Sequence, residues 1–214
     1  LKKKKKNCQN QTKITKQIAE KEFEQTVRQQ KIALYDKRYE IYRCFIKYYS
    51  YNTLISEGDA PDMNGVKSLD LLCEMVFDFS DNTVRTEEKE RKANLLKVKE
   101  KNKSYFSQDA NNKIDTAIQN ITVALENEDL RVVKEAEEKI SMAEFCIEDK
   151  VTATLIITYV TELLKFIMQY KHFSYNEEKY LKLRQIVKEI EEKDIVDKLK
   201  QELVLSGESI NAKK

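Results

Sequence analysis

This 214-residue chain has few of the residues that break helices and few of those that carry enzyme chemistry. It contains three glycines, one proline, one histidine and no tryptophan. Three scattered glycines cannot supply a glycine-rich phosphate loop. No Ser-His-Asp or Cys-His arrangement with a recognisable spacing can be assembled around a single histidine. Because breakers are rare and charged residues make up 36% of the chain, the composition predicts an almost entirely helical protein.

The remaining reactive side chains favour structural roles. His172 falls in a predicted turn between helices, where we expect a solvent-exposed residue. The cysteines are too far apart for a CxxC or zinc pattern, and three lie among apolar residues, as free buried thiols do. The four are Cys8, Cys44, Cys73 and Cys146. Glutamate pairs such as Glu137-Glu138 lie among lysines, and none has a histidine three residues later, as bundle metal sites do. We therefore expect no enzyme activity, metal or cofactor.

Positive charge is concentrated at the start of the chain. Residues 1–47 carry 14 basic and five acidic side chains, about +9, and since the whole chain is +2, the rest carries about −7. The lysine block consists of Lys2, Lys3, Lys4, Lys5 and Lys6. Such a block directly after an apolar residue flanks the cytoplasmic end of membrane spans. We expect an anchor upstream of Leu1 and contact between the block and anionic lipid; a solvated arm or a contact with nucleic-acid phosphate is the alternative.

Residues 2–30 predict a long exposed helix or a weak coiled-coil stalk. They are mostly Lys, Gln, Glu and Thr, and their large apolar residues are Ile14, Ile18, Phe23 and Val27. This stripe is too thin for a helix buried in a core. It suits a stalk that associates with another copy of itself.

From Lys31 the apolar spacing predicts a helix with a broad buried face. Leu34, Ile41, Phe45 and Tyr48 form one stripe of it. Arg38 lies on this stripe, and we expect it to pair with an acid from a neighbouring helix. Six tyrosines occur in residues 35–51 among basic residues. Their spacing favours packing in a helix interface, with stacking on single-stranded nucleic acid as the alternative.

The later segments predict helices joined by short turns. We expect a loop over 56–65, a turn over 80–83, a solvated helix over 87–103, a helix through Ile114 and Leu125, and a turn or helix start at 127–129. No breaker occurs in residues 130–170.

The β-branched run in residues 152–161 permits a strand, but we predict a helix because Ile156, Tyr159, Leu163, Ile167 and Tyr170 follow helical spacing. Its apolar stretch, residues 155–168, includes Glu162 and Lys165 and is shorter than the roughly 20 residues that a span needs. It is therefore interpreted as the central core helix.

The ends of the last helices are predicted from capping signals. Ser174 stands three residues before Glu177, a capping-box spacing that marks a helix start. Residues 171–173 would then form the preceding turn. We expect a break near Asp194 and a helix end at Gly207.

One segment resembles a family of uncharacterised bacterial membrane-anchored helical proteins. The run from Gln30 to Tyr42, QKIALYDKRYEIY, matches their Q-x-x-A-L-Y-D-K-R-x-E-x-Y stretch, which follows an N-terminal transmembrane helix. The segment from Ala143 to Ile147 is similar to their second block, with Ile147 in place of the usual aromatic residue. The resemblance covers about 40 residues, implies a membrane-tethered helical cytoplasmic domain and implies no activity.

These patterns together predict an all-α fold. We expect an irregular antiparallel bundle of about five to seven helices with a long N-terminal helix. Residues 1–30 would be a basic polar stalk or arm, 31–205 the helical bundle and 206–214 a flexible tail. The expected function is a non-enzymatic interaction or scaffold domain at the cytoplasmic side of a bacterial inner membrane, with an unidentified protein partner. The alternative is a soluble nucleic-acid-binding protein that uses the basic arm and the Tyr/Arg helix.

Overall fold

The fold is all-α and begins with a long helix, as the sequence predicts. The computed structural model describes residues 2–55, 63–78, 83–102, 104–172 and 175–211, and within them no strand occurs. Side chains are described for residues 15–55, 67–77, 86–102, 104–171 and 175–204. The helices are α1 (Lys2–Tyr49), α2 (Met63–Asp78), α3 (Thr83–Asn102), α4 (Gln108–Ser141), α5 (Ala143–Cys146), α6 (Lys150–His172), α7 (Glu177–Glu192) and α8 (Ile195–Asn211).

Helix α1 is continuous over 48 residues because neither glycine nor proline interrupts it. Its described side chains are exposed from Thr15 to Leu34, apart from the half-buried Val27, and its last part enters the bundle, where Ile41, Phe45 and Tyr48 are buried. A 3₁₀ turn, Asn52–Leu54, follows it. A loop was predicted over residues 56–65. Residues 56–62 lie outside the described part of the chain, and residues 63–65 belong to α2.

Helix α6 lies at the centre of the bundle, so the choice of helix over strand is confirmed. It packs against α1, α2, α4, α5, α7 and α8. Ile156, Tyr159, Leu163 and Ile167 are fully buried on its predicted face. Residues 150–171 are long and apolar enough to cross a membrane, but more than half of this stretch is buried against the other helices, as expected for a core helix.

Helices α3 and α4 form an antiparallel hairpin. The solvated helix predicted over 87–103 corresponds to α3, which packs mainly on α4 and joins it through the Lys99–Asp115 ion pair. Ser107 caps α4, since its side chain accepts a hydrogen bond from the Ala110 N–H. The turn or helix start expected at 127–129 is wrong, because α4 runs through it. Asp129 there is fully buried and paired with Lys171 of α6.

The absence of a breaker from residues 130–170 does not make this segment one continuous helix. The chain turns a corner over residues 142–149, which contains the single turn of α5. No glycine or proline marks this corner in the sequence. It is fixed by contacts from Arg38 of α1 and Glu202 of α8.

The ends of α6 and α7 differ from those predicted by the Ser174 capping box. Helix α6 continues through Lys171 and His172, so the predicted turn at 171–173 begins too early. The N-cap of α7 is Asn176, whose side chain accepts a hydrogen bond from the Lys179 N–H. Ser174 itself lies outside the described residues. The amide oxygen of asparagine caps a helix as well as a serine hydroxyl does.

The break near Asp194 is confirmed, whereas the helix end at Gly207 is not. Helix α7 ends at Glu192 and α8 begins at Ile195, with Asp194 at φ 51° in the left-handed region that aspartate tolerates. Helix α8 continues through Gly207 to Asn211. One glycine costs a helix only about 1 kcal/mol, so it does not by itself end one.

Candidate functional site

The lysine block occupies the first two turns of α1. The structure places Lys2, Lys3, Lys4, Lys5 and Lys6 in the helix, and their side chains lie outside the described part. Next comes the rod, residues 15–34 of α1. Every rod residue is exposed except Val27, which is half-buried. The rod holds four basic and three acidic residues, so the strong positive charge is confined to the block.

An arginine fixes the base of the rod to the bundle. Arg38 is only 5% exposed. Its Nε donates to the carbonyl oxygen of Cys146 (2.7 Å), and its Nη2 lies 2.8 Å from Glu148 Oε1. The same nitrogen is 3.8 Å from Glu202 Oε2. The predicted pairing of Arg38 with acids beyond its own helix is therefore confirmed, and it joins α1 to the corner and to α8.

The acids around Arg38 also hold the corner in place. Glu202 accepts the backbone N–H groups of Glu148 (3.1 Å) and Asp149 (3.2 Å). Asp149 in turn accepts the Val151 N–H and the Thr152 hydroxyl at the start of α6. The Thr152 hydrogen bond lowers the pKa of the Asp149 carboxyl group. These groups have structural partners, so they do not form an open reaction centre.

Most of the six tyrosines in residues 35–51 lie in the bundle core or pack against it, as their spacing predicts. Tyr48 and Tyr51 are buried. The Tyr159 hydroxyl donates to the Tyr48 carbonyl (3.2 Å), and the rings of Tyr49 and Tyr159 meet edge to face at 5.6 Å. Burial raises the pKa of Tyr159. These rings are not available to stack on bases.

Tyr35 and Tyr39 differ from the other tyrosines because they lie at the edge of the bundle. Their rings stack on each other with centroids 6.3 Å apart, and Tyr39 is exposed. Arg43 follows Tyr39 by one helical turn and is also exposed.

A charged cluster around the buried Asp129, between α2, α4 and α6, was not predicted from the sequence. Asp129 is paired with Lys171, and the Lys171 ammonium lies 4.9 Å from the centre of the Phe77 ring. The Tyr170 hydroxyl donates to Asp70 (2.8 Å) beside it. An aspartate within a polar run normally lies at the protein surface. The burial of Asp129 is therefore visible only once α6 is packed against it.

Cys44 and Cys73 have raised pKa values, so their thiols stay protonated at neutral pH. Burial raises the pKa of Cys44 to about 11 and that of Cys73 to about 12. A nucleophilic cysteine needs a lowered pKa, so these two have no activating environment. Cys146 is a buried free thiol, Cys8 lies outside the described side chains, and so does His172. Among the described side chains, no three His, Cys, Asp or Glu residues are arranged to hold a metal ion.

A concave surface, the α1–α4 groove, lies between helices α1 and α4. Residues 40–48 of α1 and 131–139 of α4 enclose about 670 Å³ of it. A smaller compartment of about 300 Å³ continues towards Lys37 and Met142. Cys44 and Ala136 lie at its floor, where the Cys44 thiol donates to the Ala136 carbonyl (3.9 Å). Both side chains are small, which gives the groove its depth.

Comparison with known proteins adds no relative to this description. The chain matches no family model, no curated protein and no solved structure.

Proposed function

We propose that this chain is a non-enzymatic interaction domain, the cytoplasmic part of a membrane-tethered bacterial protein. The observation that carries the proposal is the continuity of α1. One unbroken helix joins the lysine block, the exposed rod and the buried stripe of the bundle. At 1.5 Å per residue, the helix from the block to Leu34 measures about 50 Å. It would hold the bundle at this distance from a surface that binds the block.

The charge distribution supports an anionic membrane as that surface. A lysine near anionic lipid contributes roughly 1 kcal/mol, so the five lysines of the block together contribute about 5 kcal/mol. Such binding is reversible, and stable attachment needs a second signal. In this proposal the second signal is a membrane anchor that precedes residue 1, as the resemblance to membrane-anchored proteins implies.

The contacts of Arg38 support a fixed attachment of the rod to the bundle. The guanidinium group reaches Cys146, Glu148 and Glu202 from a position four residues beyond the rod. The rod would therefore set the direction of the bundle as well as its distance from the membrane. A partner protein would meet a bundle presented in one orientation.

Vesicle flotation tests the proposal. The chain is mixed with phosphatidylcholine vesicles with or without phosphatidylserine and floated at low salt. We expect flotation with the anionic vesicles only, and its loss when Lys2–Lys6 are replaced by glutamine. The matched control replaces five exposed lysines elsewhere by glutamine and should float like the unmodified chain. Its positions are Lys97, Lys101, Lys113, Lys179 and Lys188. Equal losses in the two variants would refute a specific role of the block.

Nucleic-acid binding is the second candidate, and the exposed Tyr39 beside Arg43 favours it. A single-stranded DNA 20-mer provides the test. Affinity that falls with salt, and falls again in Tyr39→Ala, would support this candidate. An affinity that is unchanged in Tyr39→Ala would instead indicate simple charge attraction between the DNA and the lysine block.

A further inference from the structure

The α1–α4 groove has the geometry of a seat for a third helix. Its two walls are antiparallel, since Lys37 lies opposite Met142 at one end and Lys47 opposite Arg131 at the other. The lining residues recur every three or four positions along α4, as on the face that one helix presents to another, and along α1 they fall almost continuously between Glu40 and Tyr48. They include Glu40, Cys44, Lys47 and Tyr48 on α1, and Val132, Glu135, Ala136 and Lys139 on α4.

The charges of the groove select an acidic occupant. Each acid of the lining already has a basic neighbour: Lys37 for Glu40, Arg131 for Glu135 and Lys134 for Glu138. Arg43 and Lys139 also line the groove, and within the described residues neither forms an ion pair. Two cations beside an apolar floor are complementary to an apolar surface with carboxylates at its edges.

We propose that the α1–α4 groove binds an amphipathic helix of a partner protein, with an apolar stripe on the groove floor and acidic residues facing Arg43 and Lys139. This rests on the proposed function as an interaction domain and names the surface that the partner contacts. From Lys37 to Tyr48 the groove is about 16 Å long. It therefore accommodates about three turns of helix, with apolar residues at positions i, i+3, i+4 and i+7.

A partner helix fits better than a second copy of the rod. The rod has four basic and three acidic residues, so it carries no net negative charge. Its exposed large apolar side chains are Ile18, Phe23, Ile32 and Leu34, and no two of them stand three, four or seven residues apart, the spacing that the groove requires.

Fluorescence anisotropy with a designed helical peptide tests the proposal. The probe is a labelled 18-residue peptide with leucines at the four stripe positions and glutamates on both sides. Its controls are the same peptide with lysines for the glutamates and a scrambled peptide of the same composition. We expect saturable binding of the glutamate peptide alone. No saturable binding, or equal binding of the scrambled peptide, would overturn the proposal.

Charge reversal locates the binding on the protein. Arg43→Glu with Lys139→Glu should weaken the peptide at least about tenfold, because two favourable pairs become repulsive. The control, Lys97→Glu with Lys101→Glu, changes the net charge equally at exposed sites of α3 and should leave the affinity unchanged. Equal weakening in both pairs would mean non-specific attraction and would overturn the proposal. Circular dichroism verifies that each variant is folded.

Two readouts separate this proposal from the proposed membrane function and from self-association. The groove variant should still float with anionic vesicles, and the lysine-block variant should still bind the peptide. Loss of peptide binding alone therefore refutes the groove, and loss of flotation alone refutes the membrane contact. Sedimentation equilibrium tests whether a second copy of the chain occupies the groove. A dimer of the unmodified chain that dissociates in the groove variant would identify that second copy as the occupant and overturn the proposal of a partner protein.

Discussion

Replacing Arg38 should destabilise the whole bundle rather than the rod alone. Arg38 is 5% exposed and contacts three acceptors from two other parts of the chain. In Arg38→Ala the buried carbonyl of Cys146 loses a charged donor, which costs about 1–3 kcal/mol. Glu202, 14% exposed, loses its cation, and the alkyl stem of the arginine no longer packs.

We therefore expect Arg38→Ala to lower the free energy of unfolding by about 3 kcal/mol. For a chain of this length that corresponds to a fall in Tm of about 6–12 °C. Urea unfolding followed by circular dichroism measures the free energy, and a thermal scan measures Tm. Arg38→Met keeps most of the alkyl stem but removes the guanidinium group. Its loss of unfolding free energy should be smaller than that of Arg38→Ala and gives the contribution of the guanidinium group alone.

The partner residues provide the control for this prediction. Glu148 is 82% exposed, so its pair with Arg38 is a surface interaction worth about 0–1 kcal/mol. Glu148→Ala should therefore cost less than about 1 kcal/mol. An Arg38→Ala variant as stable as the unmodified protein, or a Glu148→Ala variant as damaged as Arg38→Ala, would refute the reasoning.

Three further predictions follow from burial and from the length of α1. Asp129→Asn should lower the free energy of unfolding, measured in urea, by about 2 kcal/mol. This is less than the loss expected when a fully buried ion pair is broken, because Lys171 is 32% exposed. An unchanged free energy of unfolding would contradict the pairing. The thiols of Cys44 and Cys73 ionise near pH 9.0 when unfolded and near 11 and 12 when folded. Their raised pKa values give stability that is complete below pH 9 and lost as pH rises towards 12. Replacing both by alanine should therefore flatten the alkaline decline of the unfolding free energy, and an unchanged slope would contradict this. Small-angle scattering should give a radius of gyration well above the roughly 17 Å of a compact chain of this length; a value near 17 Å would rule out a projecting rod.

Local sequence spacing was enough to predict most of the helices and much of the core. The face of α6 follows from 3.6-residue periodicity alone, and Ile156, Tyr159 and Leu163 are fully buried on it. Arg38 was identified because a charged residue on an apolar stripe needs a partner. The break near Asp194 was also predicted, and α7 ends at Glu192 just before it.

The features that the sequence did not predict depend on contacts between distant segments. The corner over 142–149 contains no breaker and is held by Arg38 and Glu202, from helices far away in the chain. Asp129 lies in a polar run, and its burial depends on Lys171, 42 residues later. The depth of the α1–α4 groove comes from Cys44 and Ala136, 92 residues apart. Periodicity describes one helix at a time, so it does not show which side chains two helices bring together.

The most direct test of the membrane assignment is flotation of the full-length gene product, tagged at its C-terminus, from cells. Membranes are floated in low and in high salt, since screening weakens attraction between lysines and anionic lipid. The account predicts co-flotation that survives high salt, because an integral anchor holds the chain and the lysine block only supplements it. Recovery in the soluble fraction under both conditions would contradict the tether and favour direct tests of nucleic-acid binding.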